Sequence, residues 1–170
     1  MTSQPAQTFL SRAVEDGRYD WTRSVRVRRR LVLAEVGLLT ALLIGAVVAS
    51  TTDDGWTAPY LVAWVVGMFG FIPLHSLLNT GIRCVFDRSP RSLDEHQRRL
   101  REQSTAAIQW PGAVLTALAL VGAVGLAELT GHTTLGLGVG FLLWFAATLL
   151  AYWHLAWTLP DEDDGFDLDA

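Results

Sequence analysis

The sequence predicts an all-α membrane protein with four transmembrane helices, both termini on the cytoplasmic side, and a cytoplasmic helical extension before the third span. Three observations carry this. The 170-residue chain is 51% hydrophobic and only 18% charged, where a soluble domain holds about 25% charge. The missing charge leaves four long stretches, each about 20 residues or more, and at about 1.5 Å per residue each crosses the roughly 30 Å of a hydrocarbon core. All 13 basic residues are arginine, and none lies in the two shortest connections between those stretches.

Residues 1–30 form an arginine-rich N-terminal segment whose polar character, with no small-residue cleavage site after the first apolar run, argues against a signal peptide. The transmembrane domain covers residues 31–158. Span one, 31–50, holds a single ionisable residue, Glu35. Span two, 58–80, contains Pro73, which cannot donate to the Phe69 carbonyl and, with Gly70 beside it, predicts a kink. A cytoplasmic loop, 81–110, leads to span three, 111–130, and span four, 134–158. The tail, 159–170, has six acids in its last ten residues and is too polar to pack a core. It is expected to be solvated rather than folded back on the arginines.

Orientation follows from the arginines, seven in residues 1–30 and six in the central loop. The positive-inside rule places both termini and that loop in the cytoplasm, with Asp53 and Asp54 outside. Trp110, Trp153 and Trp157 then fit an inner aromatic belt and Trp56 an outer one. Arg23, Arg26, Arg28, Arg29 and Arg30 suit anionic lipid headgroups, at about 1 kcal/mol each. Nucleic acid is a poor partner for them, since only Tyr19 and Trp21 are near and no reading module is visible. One cysteine excludes an internal disulfide and any multi-thiol zinc site.

In the loop, Ser92 and Glu95 form S-x-x-E, a capping box that predicts a helix start. Asp94 with Arg98, Glu95 with Arg99, and Arg98 with Glu102 are i, i+4 pairs that support a water-exposed helix. Leu93, Leu100 and Ala107, with Trp110 beyond, make a thin apolar seam suited to the N-terminal segment or another subunit. Pro111 predicts a kink or break near Gln109 and Trp110.

Over Ser92–Arg101, SLDEHQRRLR, and in its four-span hydropathy pattern, the chain resembles a group of small integral membrane proteins of high-GC actinobacteria that carry an LDE-x-Q-type motif on the cytoplasmic loop. The absence of lysine fits a GC-rich genome. The resemblance implies a multi-pass protein of a bacterial plasma membrane, with no assigned activity and no catalytic residue to carry over.

Ionisable groups within the spans are functional candidates, because each costs about 2.5 to 3.5 kcal/mol at mid-membrane. Glu35, His75 and His154 lie at one depth, about 6 to 7 Å inside the inner ends of their spans. Asn79 is one turn from His75 on the same face, so the four predict an inner polar cluster. Such a cluster fits a haem between His75 and His154, a metal on Glu35, His75 and His154, a proton or ion relay through Glu35, or plain hydrogen bonding between helices and snorkelling. The last of these is the simplest. Gly136 with Gly140, and Ala119, Ala123 and Ala127, make small-residue faces for close helix contact within the bundle or between two copies. Ala63 and Gly67 do the same in span two.

No G-x-S-x-G, P-loop, HExxH or dinucleotide fingerprint occurs. The expected function is therefore that of a plasma-membrane protein without catalytic activity or cofactor. It would act as an accessory, regulatory or scaffolding subunit through its cytoplasmic face, with a protein partner or a second copy. A small transporter or channel component, and a haem- or quinone-binding bundle using His75 and His154, are the alternatives.

Overall fold

The computed structural model describes residues 17–51 and 57–161. Four helices make the fold: α1 (Val25–Thr51), α2 (Thr57–Gly81), α3 (Glu95–Thr130) and α4 (Thr133–Thr158). A 3-10 helix, Gly17–Arg23, precedes them, and a 3-10 turn, Pro90–Ser92, lies between α2 and α3. All four helices are long and apolar enough to cross a membrane, and no strand occurs among the described residues. The protein is an all-α, multi-pass membrane protein.

The helices do not close evenly around one axis. α1 packs against α2 and α4, whereas α3 lies along α4 and scarcely touches the other two. The core has three layers. Leu31, Val32, Leu78, Ile82, Val85, Leu155 and Ala156 form the layer at the arginine-bearing end. Leu39, Leu42, Phe71, Leu142 and Leu149 fill the middle, and Ala46, Leu135 and Val139 the far end. Large apolar side chains also point outward, such as Ile44, Val66, Leu120 and Val121, as a hydrocarbon solvent permits.

Small residues set the α3–α4 distance. A Cβ on Gly136 would stand 2.2 Å from the Ala123 carbonyl oxygen, and one on Gly140 would stand 2.6 Å from Ala123 Cβ and 3.0 Å from the Ala119 carbonyl oxygen. Gly136 and Gly140 thus meet Ala119, Ala123 and Ala127 inside one chain. Gly67 lies similarly against Leu42 of α1.

Three local expectations are corrected. The capping box does not form. Ser92 ends the 3-10 turn with its hydroxyl donating to the Ser89 carbonyl, and the N-cap is Asp94, whose carboxylate accepts from Gln97 N at 2.7 Å. Pro90 favours the preceding turn and Leu93 is extended, so the helix starts two residues late, at an acid that caps as well as serine does. Glu95 is then free to pair with Arg99 at 2.5 Å, the one pair of the expected three that forms as such. The apolar seam divides: Leu93 is buried and Leu100 packs on the core layer at the arginine-bearing end, while Ala107 and Trp110 are exposed. Finally, the break considered near Gln109 and Trp110 does not occur, since α3 is continuous through Pro111, as α2 is through Pro73. Ala107 and Pro111 are both exposed, so the carbonyl that Pro111 leaves unbonded faces outward where solvent or headgroups satisfy it.

Candidate functional site

The buried polar and charged residues described are Thr22, Arg28, Glu35, Asn79 and Ser104. All belong to the half of the molecule where α1 and α3 begin and α2 and α4 end. Arg28 explains why these ends stay together. It is fully buried and donates to the carbonyls of Ala156, Leu159 and Pro160 at the close of α4, and to that of Arg23. These are the carbonyls a helix end leaves unsatisfied, and a cation suits them. Asp161 answers in the opposite sense by accepting from Val25 N at the start of α1. The acidic tail therefore begins docked rather than solvated, and its remainder, residues 162–170, lies outside the described residues, as do residues 1–16 and Asp53, Asp54 and Trp56. Arg29 lies over the Trp157 ring, 5.1 Å from its centre.

Glu35 sits nearly three turns into α1 on the same stripe as Arg28, Val32, Leu39 and Leu42, which explains its complete burial. Its Oε2 accepts the indole N–H of Trp153 at 2.6 Å, so Trp153 faces the interior and not an aromatic belt. Its Oε1 stands 3.4 Å from His75 Nδ1, and neither of those two atoms has a hydrogen-bond partner. The His75 ring is stacked on Phe71 and meets the edge of Tyr152 at 4.9 Å. Beyond it, Asp87 accepts from the Tyr152 hydroxyl at 2.8 Å and from the Asn79 side-chain amide.

His154 is elsewhere. Its Nδ1 is 3.0 Å from the hydroxyl of Ser104 on α3, which also donates to the Ala151 carbonyl at 2.8 Å. Tyr152 and His154 are two residues apart, about 200° around α4, so His154 turns away from His75. The four predicted residues thus divide: Glu35 with His75, Asn79 with Asp87, His154 with Ser104. A haem between the two imidazoles would need them to face each other. Among the described residues, no group of three or more His, Cys, Asp or Glu is placed to hold a metal ion.

Sequence reasoning grouped Arg28 with the headgroup-facing arginines, which its complete burial overturns, and it missed Asp87, Tyr152, Ser104 and the inward turn of Trp153. The one available signal was the 3.5-residue stripe of Leu39, Leu42 and Ala46, which extends back through Glu35 and Val32 to Arg28. The connection after α2 adds Cys84, buried and held with a left-handed backbone at φ 52°, directly after Arg83 at φ 57°. Burial, reinforced by Asp87, pushes its thiol up to about 11. No family model, curated protein or solved structure matches the chain.

Proposed function

We propose that the protein is a bacterial plasma-membrane subunit with both termini in the cytoplasm, acting without catalysis as an accessory, regulatory or scaffolding component through its arginine-bearing face. The observation that carries this reading is one-sidedness. Among the described residues, the buried polar and charged ones gather at one end, while the core at the far end is built from Ala46, Leu135 and Val139. A transporter path asks for polar groups through the whole depth, whereas Tyr60 Oη in the far layer and Trp64 Nε1 against the middle one are isolated buried groups. At the arginine-bearing end, by contrast, α3 presents the exposed His96, Arg98, Arg99 and Glu102. Headgroup contacts at Arg26, Arg29 and Arg30 would hold that face at the membrane surface.

Two measurements test the proposal. In a Cys84→Ser background, single cysteines at positions 5, 90 and 165 should resist an impermeant reagent applied from outside, and one at 55 should react; outside labelling at position 90 sinks the orientation. A photocrosslinker at His96 or Gln103 in native membranes should capture the same partner, and one at Val124 should not. Adducts from Val124 alone would place the working surface in the bilayer.

A further inference from the structure

We propose that Glu35 and His75 form a proton-binding site, open toward the arginine-bearing end, that takes up and releases one proton as a unit. This proposal is independent of the subunit reading above. Glu35 is fully buried, and its Oε2 is committed to the Trp153 indole at 2.6 Å. Its Oε1 and His75 Nδ1 face each other at 3.4 Å, and neither has another partner. A carboxylate oxygen only accepts, and an imidazole nitrogen accepts or donates according to its proton, so one hydrogen between them satisfies both atoms.

The surroundings leave this charge to the pair itself. From α2 the titratable group facing Glu35 is His75, and from α4 it is Tyr152, reached across the His75 ring, while Trp153 contributes a neutral donor. The connection after α2 supplies Asp87, bound to the Tyr152 hydroxyl, with Cys84 and Arg88 beside it, and Arg101 acts on Tyr152 from α3. Arg28, two turns before Glu35, is spent on the carbonyls closing α4. With imidazolium and carboxylate the pair is neutral, and with one proton fewer it carries a single negative charge among apolar side chains of the core.

Of the two, His75 is the less buried, its side chain 24% exposed against 0% for Glu35, and it leads past the Tyr152 ring to Asp87. The Tyr152–Asp87 bond, with Asp87 exposed, marks where the route meets water. Because the pair joins α1 to α2, and Trp153 ties it to α4, a change in its charge acts on three helices at once.

The Trp153 indole N–H reports on the site directly. With the protein in lipid nanodiscs, its nitrogen–proton resonance, assigned by Trp153→Phe, is followed with the His75 ring nitrogens from about pH 4 to about pH 9. The expected result is one shared single-proton transition, which Glu35→Gln removes from the Trp153 signal and moves to a different pH at His75. A Trp153 resonance that stays constant across the range overturns the proposal. So does a Trp153 transition that persists in Glu35→Gln, or one that vanishes in Asp87→Asn. Should Glu35→Gln not fold, His75→Gln, which keeps an amide of similar reach, must move the Trp153 transition to a different pH; an unmoved transition overturns the proposal.

Discussion

Arg28 donates its Nε–H to the Ala156 carbonyl, 3.3 Å away, tying the first turn of one membrane helix to the last turn of another 128 residues later. Three of its acceptors close α4, and Asp161 binds the backbone at the start of α1 from the other direction. This reciprocal clasp orders an end of the molecule that otherwise consists of helix termini and their unsatisfied groups.

Removing the guanidinium should therefore destabilise more than charge counting suggests. Arg28→Gln leaves buried carbonyls without donors and is expected to cost about 3 kcal/mol. Arg28→Lys should recover part of this, because a point ammonium cannot span the same acceptors. Exposed Arg26→Gln should stay within about 0.5 kcal/mol of wild type. Unfolding in mixed micelles measures all three, and equal behaviour of Arg28→Gln and Arg26→Gln would disprove the clasp.

The start of α3 offers a local test. Asp94→Ala removes the acceptor for Gln97 N and should lower the stability of the first turn by about 0.5 to 2 kcal/mol. Ser92→Ala loses a turn contact outside the helix and should change little there. Amide exchange over residues 95–100 separates the two, and the reverse order would restore the capping box at Ser92.

How far the sequence was legible depends on which solvent each face meets. Four apolar stretches and one-sided arginines sufficed for the helices, because length and charge act without reference to neighbours. Which face turns inward was not legible, since Leu39 is buried and Leu33 exposed in the same span, and both are equally at home in lipid. Glu35 and His75 stood out as rare ionisable groups at equal depth, and the structure sets them 3.4 Å apart. Equal depth says nothing about angle around the axis, so it grouped His154 with them although that side chain meets Ser104 instead. Arg28 stood among four neighbouring arginines, and only the buried stripe through Glu35 distinguishes it. Asp87 and Ser104 lie in polar segments where one more polar side chain carries no signal.

Cys84 should be nearly inert in the folded protein. A thiol pushed from 9.0 to about 11 is ionised at about pH 8 in roughly one molecule per thousand, against about one in ten without the shift. Since the thiolate is the reactive form, maleimide labelling should rise about tenfold per unit between about pH 8 and about pH 10 and become fast on unfolding. Rapid labelling of the native protein at about pH 8 would contradict the burial of this side chain.

The α3–α4 contact makes the most demanding prediction, because α3 is held by one neighbour. A methyl group added at Gly136 meets the Ala123 carbonyl oxygen at 2.2 Å and the Ala127 backbone nitrogen at 3.0 Å. Backbone atoms cannot rotate aside as a side-chain end does, so α3 must move off α4 and lose contact along its length. Gly136→Ala is therefore expected to cost about 1 to 3 kcal/mol, the usual penalty of overpacking. Gly125→Ala is the matched control: nothing lies within 4 Å of its added methyl, and alanine's better helix propensity favours the variant by up to about 1 kcal/mol. Unfolding of the monomer in detergent should thus shift in opposite directions for two identical substitutions on neighbouring helices. If the GxxxG face served a second copy instead, Gly136→Ala would alter oligomeric state and leave monomer stability untouched. Stability falling without a change in oligomeric state is what contact inside one chain requires.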